Sequence, residues 1–155
     1  YKRNIIVYGN TSLKKIFPIK YFNISLSSFK FQSKSKQYVE KFIKIERDSL
    51  VAKMPVNSST SQPMGILHGG ASVVLAESIG SVGSNLLIDS EREYAVGLSI
   101  NASHVGSAKN GHVLGKGILI HQGKTTHIWS IEIKDKEERL ISICRLTVMI
   151  IKKNK

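Results

Sequence analysis

The chain has 155 residues, 41% of them hydrophobic, which suffices for one domain with a single core and is too little for two. No apolar run reaches the roughly 18 residues needed to span a bilayer, and Cys144 is the only cysteine, so neither a membrane-spanning helix nor an intrachain disulfide framework is expected. The net charge of +12 would suggest nucleic acid, but eight of the 23 basic residues precede Glu40, the first acid, leaving 15 basic against 11 acidic residues from Glu40 onward.

The part expected to fold is therefore only mildly basic, and it lacks the interleaved aromatic and basic pattern of a nucleic-acid surface. A soluble protein of a reducing compartment such as the cytoplasm is the expectation, with Cys144 an inert core residue on a terminal strand.

Residues 1–37 are rich in Lys, Ser and Asn, contain no acid and show no sustained periodicity. They look appended to the domain at 38–155. An organelle-targeting segment and a disordered or upstream extension both remain open, as does the possibility that the chain is a fragment, since it does not begin with Met. From Tyr38 the pattern becomes regular. Val39, Phe42, Ile43 and Ile45, then Leu50, Ala52, Met54 and Val56, predict two short strands around a turn at Glu46 to Ser49. A loop follows through Asn57, Ser61 and Pro63.

His68, Gly69 and Gly70 then open a helix expected to run to about Ile88, with Val74, Leu75, Ile79, Val82 and Leu86 near helical spacing. Its small residues Gly80, Ser81, Gly83 and Ser84 predict that another backbone, most simply a paired helix, approaches closely. Four strands are expected after it: Tyr94 to Val105, His112 to His121, Thr125 to Lys134 and Leu140 to Ile151. Turns at Ala108 to Gly111, Gln122 to Lys124 and Asp135 to Glu138 separate the last three from what precedes them. One buried helix and a run of antiparallel strands define an α+β architecture in which the sheet wraps the helix.

Between Met54 and Ile88 the only formal charge is Glu77, set within an apolar helical run. An unpaired carboxylate on a buried face is costly, so it needs either a hidden partner or a chemical use. Partial desolvation raises a carboxyl pKa and makes the carboxylate a stronger base.

The segment Gln62-Pro-Met-Gly-Ile-Leu-His-Gly-Gly70 followed by Ala76-Glu77, with Val96 to His104 and Thr126 to Ile133, resembles the hotdog-fold acyl-CoA thioesterases of the PaaI-like superfamily. The similarity spans about Phe42 to Ile151 and is greatest to the 1,4-dihydroxy-2-naphthoyl-CoA thioesterases of menaquinone synthesis. The resemblance implies a hotdog fold, thioester hydrolysis without a cofactor, and a homodimer that often forms tetramers. It implies that the Gly69 N–H polarises the thioester carbonyl, that Glu77 is general base or nucleophile, and that Ser81 orients it or holds water. Gln62 and His68 would complete the active site, His68 as a positioner.

By the same resemblance CoA is held by Gly97, by His104, Val105, Gly106 and Ser107, by His121, Gln122, Gly123, Lys124, Thr125 and Thr126, and by Ile151. Lys124 is the natural phosphate contact. Met64, Val73 and Val74 would line the acyl pocket. The family typically carries Arg at the position of Gly106, Asn at that of Ser103 and Glu at that of Ser99. Weaker CoA binding is the expected consequence, and an Arg restored at 106 would be expected to tighten it.

Other chemistries find less support. Asp48, Asp89 and Asp135 fall in predicted turns and no Gly-x-Ser-x-Gly elbow is present, which argues against a Ser-His-Asp hydrolase. His68, His104, His112, His121 and His127 lack the spacing of a metal site. A non-catalytic acyl-CoA binder and a broad-specificity thioesterase remain alternatives, the former disfavoured by the joint presence of Gln62, Glu77 and Ser81. Gly69 and Glu77 lie eight residues apart on one helix, a rise of roughly 12 Å, too far for both to address one carbonyl. A second chain is therefore expected to supply one of them.

Overall fold

The computed structural model describes residues 41–45 and 49–154. The leader at 1–37, the expected start of the first strand at 38–40 and most of its turn at 46–48 lie outside the described residues.

The elements run β1 (Lys41–Ile45), β2 (Ser49–Pro55), α1 (Gly69–Leu87), β3 (Glu93–His104), β4 (His112–Gln122), β5 (Thr126–Asp135) and β6 (Leu140–Lys152). The strands form one sheet in the order β1-β2-β4-β5-β6-β3, every pairing antiparallel. With α1 packed across one face, this is the α+β hotdog fold. From α1 onward each expected element lies within a residue or two of its observed bounds.

The helix starts at His68 because that residue is extended (φ −70°, ψ 132°) and its Nδ1 accepts the Gly70 N–H at 2.8 Å, which satisfies one of the orphan amides of the first turn. Ala71, Leu75, Ala76, Ile79, Val82 and Leu86 form its buried face. They meet Met54, Val113, Trp129, Ile131, Ile133, Leu146 and Val148 from the sheet. Fully burying side chains of this size contributes on the order of 2 kcal/mol each. Cys144 lies in the same core, 1% exposed on β6, and burial pushes its thiol up to about 11. It is inert at neutral pH.

The small residues of α1 have a different role from the one expected. A Cβ on Gly80 would run into the Leu146 side chain, and one on Gly83 into the Trp129 ring. Ser84 Oγ accepts the Trp129 indole N–H at 2.9 Å in the buried interior. Gly80, Gly83 and Ser84 therefore let the helix settle onto its own sheet around a large aromatic, and no paired helix is needed to explain them. For these three residues the close neighbours are Leu146 and Trp129, while Ser81 bonds Glu77.

Asp135 ends β5 as a buried turn residue. Its carboxylate accepts from the Glu137 and Arg139 backbone N–H groups and pairs with the Arg139 guanidinium at 2.7 Å, while Glu138 takes a left-handed φ of 62°. Burial works against its charge, but these bonds outweigh it and hold the carboxyl below the usual carboxylate range. Asp135 is thus committed to the β5–β6 turn.

Candidate active site

Two clusters along α1 hold the candidate residues. The first surrounds the helix start. Residues 61–67 form a small closed loop: Ser61 bridges Leu67, Gln62 N–H donates to the Ile66 carbonyl at 2.8 Å, and Gly65 N–H returns to the Gln62 carbonyl at 2.9 Å. Gly65 sits at φ +72°, where a side chain would be strained. The Gln62 side-chain amide is left without a partner among the described residues.

In the first helical turn three amides are accounted for. Gly70 N–H goes to His68 Nδ1, while Ala71 and Ser72 donate to the His68 carbonyl at 2.9 and 3.3 Å. Gly69 N–H finds no acceptor among the described residues. It stands at the positive end of the helix dipole, suited to an oxygen that gains negative charge. Because His68 Nδ1 must be an acceptor, the neutral ring carries its proton on Nε2. His68 is thereby a donor and a cap, which fits positioning and not proton abstraction.

His104, expected among the CoA contacts, ends β3 directly against Gly69. An ideal Cβ on Gly69 would stand 2.8 Å from His104 Nε2, so the glycine lets the ring lie over the helix start without shifting. His104 Nδ1 in turn lies 2.7 Å from Ser142 Oγ on β6.

The second cluster lies two turns along the helix. Glu77 is half-buried, and burial raises its carboxyl above its ordinary value; a hydrogen bond from Ser81 Oγ at 3.4 Å lowers it by less. The carboxylate lies over Gly97 of β3, where a Cβ would collide with it and stand 2.7 Å from its Cδ. A bulge between Gly97 and Ser99 turns Gly97 toward the helix, on the same side as Ile100. β3 is an edge strand, paired only with β6 among the described strands, so Glu77 sits at the open margin of the sheet.

The residues expected to hold CoA divide between the two ends. Gly97, the β4–β5 hairpin and Ile151 share one end: Gln122 pairs with His127, His127 with Val148, and Val148 with Gly97, while Tyr94 pairs with Ile151. Gly123 N–H donates to the Thr126 carbonyl and Ile150 N–H to that of Thr125, both at 2.8 Å, which ties the hairpin tip to β6. His121, Gln122, Lys124 and Thr125 are exposed there. His104, Val105, Gly106 and Ser107 lie at the other end, beside the helix start. Six residues of β3 lie between Gly97 and His104, roughly 20 Å of strand.

Gly106 departs from expectation. Its N–H and that of Val105 both donate to the Ile141 carbonyl, at 3.1 and 2.9 Å. A Cβ there would run into the Leu140 carbonyl and lie 3.3 Å from Ile141 Cα. Backbone cannot yield as a side-chain tip can, so Gly106→Arg would displace the start of β6. It is not the simple restoration of a phosphate contact that the family pattern suggested. Met64 and Val74, expected to line the acyl pocket, are 75% and 37% exposed, and Val73 is half-buried. Among the described residues no cluster of three His, Cys, Asp or Glu could hold a metal ion, and no helix is long and apolar enough to cross a membrane.

The hotdog fold thus carries a partly desolvated carboxylate and an unpaired helix amide, groups that suit the chemistry of an acyl-CoA thioesterase. Residues 64–142 match the thioesterase superfamily, and the chain belongs to that family. It is 51% identical over 111 residues to the 1,4-dihydroxy-2-naphthoyl-CoA hydrolase of Escherichia coli, covering 72% of this chain and 81% of that one. Among solved structures it is similar to a mutant thioesterase from Pseudomonas aeruginosa, with 43% identity, TM-score 0.73 and coverage of 74% and 82%. It is also similar to a thioesterase from Haemophilus influenzae, with 33% identity, TM-score 0.78 and coverage of 83% and 92%. The protein is a thioester hydrolase.

Proposed function

We propose that the protein hydrolyses aromatic acyl-CoA thioesters, with 1,4-dihydroxy-2-naphthoyl-CoA as the favoured substrate, in menaquinone or phylloquinone biosynthesis. The likeness to the Escherichia coli hydrolase supports the substrate. The observation that carries the chemistry is the Glu77 carboxylate, desolvated and held at Gly97 on an open sheet edge. Glu77 takes a proton from water as the water oxygen attacks the thioester carbonyl carbon. The carbonyl oxygen becomes an oxyanion held by the Gly69 N–H. Collapse of this intermediate breaks the C–S bond, and the CoA thiolate leaves and takes up a proton, giving the free acid and CoA.

Within one helix Gly69 and Glu77 are roughly 12 Å apart, so the reading includes a homodimer whose chains meet at the β3 edge. Gln62, His68 and Gly69 of one chain then face Glu77 and Ser81 of the other, and two dimers assemble as a tetramer. Exposed Met64 and Val74 become walls of an acyl pocket once a second chain covers them.

Two measurements test this reading. Purified protein is assayed against aromatic, straight-chain and short-branched acyl-CoAs; preference for the aromatic thioesters is expected, and hydrolysis of none would leave a binding protein. In the second, Gln62→Ala and Glu77→Ala chains, each nearly inactive alone, are co-refolded. Mixed dimers carry one site with neither substitution, so activity should return. No recovery despite demonstrated subunit exchange, or an active monomer, would rule out the shared site.

A further inference from the structure

We propose that Ser142 is a positioning residue that locks His104 as a second hydrogen-bond donor beside the Gly69 N–H. The inference rests on the thioesterase reading above and adds to it a residue with no role so far.

Ser142 lies on β6 directly opposite His104 on β3 and is 0% exposed. Its Oγ lies 2.7 Å from His104 Nδ1, and its hydroxyl meets no other acceptor among the described residues. A buried hydroxyl left without an acceptor is costly, so its proton points to Nδ1. A neutral imidazole has one N–H and one lone pair, so with Nδ1 accepting, the proton of His104 is on Nε2. Nε2 is the ring atom nearest the missing Cβ of Gly69, at 2.8 Å. His104 thus presents an N–H, not a lone pair, beside the one amide of the first turn that has no acceptor. The opposite tautomer would aim a lone pair at the space where an oxyanion forms and repel it. His68 is fixed in the same Nε2–H form by the Gly70 amide, so both imidazoles at the helix start are held as donors by their Nδ1 partners.

The test begins on the unaltered protein. In the imidazole nitrogen NMR spectrum of the full chain, His104 should show an unprotonated Nδ1 and a protonated Nε2. Ser142→Ala should spread His104 between tautomers and lower kcat by about tenfold with little change in KM. That is less than the hundredfold or more typical of deleting a direct oxyanion donor. Ser142→Thr, which keeps the hydroxyl, should recover most of the loss. In a His104→Ala background, Ser142→Ala should have no further effect, since a residue acting only through His104 cannot act without it.

Wild-type His104 with its proton on Nδ1, or a Ser142→Ala effect that persists undiminished in the His104→Ala background, would overturn the inference. The wild-type spectrum decides the tautomer even if no Ser142 variant folds. Failure of the parent reading looks different: the wild-type protein would hydrolyse no acyl-CoA whatever the tautomer of His104.

Discussion

The two clusters on α1 use the same helix in opposite ways. At its start the groups are held in place: His68 caps Gly70, Ser142 lies in hydrogen-bond reach of His104, and a closed loop fixes the Gln62 backbone, while the Gly69 N–H and the Gln62 side-chain amide are left open among the described residues. Two turns on, Glu77 has one long bond to Ser81 and is otherwise half-desolvated against a glycine. Donors for a developing charge gain from rigidity, because they then need no reorganisation during reaction. A base gains from being under-satisfied, because every bond to the carboxylate lowers its basicity. On the proposed function the helix therefore carries a stiff electrophilic end and a reactive basic middle, which the proposed dimer would bring together across two chains.

The hardest test of this contrast is removal of the proposed base. Glu77→Ala should lower turnover by at least about a hundredfold, the low end for loss of general acid–base catalysis. Burial raises the Glu77 pKa, so ionising it costs the folded protein stability that is lost as pH rises from the ordinary carboxyl value through the raised one and is missing at neutral pH. Glu77→Gln should accordingly unfold at an equal or higher temperature than the wild type. A near-wild-type rate in Glu77→Ala would mean that the base lies elsewhere.

A smaller loss is expected from the seat of Glu77. In Gly97→Ala the new Cβ would meet the tip of a flexible side chain, so the fold should survive while the carboxylate moves. Misplacing a reacting group by about 1 Å can cost up to a hundredfold, and a fall in kcat of tenfold or more is expected. A rise in KM alone would instead assign Gly97 to CoA binding and not to the base.

Ser81→Ala should cost only severalfold at neutral pH, and its main effect should appear in the pH profile. With Glu77 as the proposed base, turnover needs it ionised, so activity should be lost as pH falls through a pKa already above the ordinary carboxylate value. Ser81 stabilises the charged form; without it the pKa rises and the acid limb moves to higher pH. An unmoved limb with a lowered rate would make Ser81 a ligand for water only.

Much of this was legible in the sequence. The strands from β3 to β6 announced themselves through apolar alternation between Gly-containing and charged turns, and His68-Gly-Gly70 marked the helix start. Glu77 stood out as a lone charge in an apolar run. What one-dimensional reading missed depends on contacts between strands. The bulge at Leu98 shifts the alternation of β3, so Gly97 shares a face with Ile100 instead of Ser99. Glycine in a strand signals a close approach without naming what approaches, and here that is Glu77. The small residues of α1 met Trp129 for the same reason. Ser142 gives no local signal at all, because its partner is 38 residues away. The obstruction at Gly106 arises from the Leu140 carbonyl, which no residue type at 106 could have disclosed.

The smallest effect is expected at a third imidazole, which sharpens the contrast by lacking what His68 and His104 possess. His127 on β5 is 2% exposed, and its Nδ1 has no hydrogen-bond partner among the described residues. Burial holds its pKa below the ordinary 6.5, His121 reinforces this and Glu93 opposes it. Below about pH 6.5 the unfolded chain therefore binds a proton that the folded chain resists, so stability present above that pH is lost as pH falls toward the folded pKa. His127→Leu removes both the orphaned nitrogen and this proton linkage. At pH 7.5 the variant should be more stable to urea by about 1 kcal/mol, the low end of the cost of an unsatisfied buried polar group. At pH 5.5 its advantage should widen, since only the wild type loses stability at this position. Turnover should scarcely change, because His127 belongs to neither cluster. Equal stability of the two proteins at both pH values would show that His127 finds a partner after all, and that its unpaired nitrogen is not what separates it from the two histidines at the helix start.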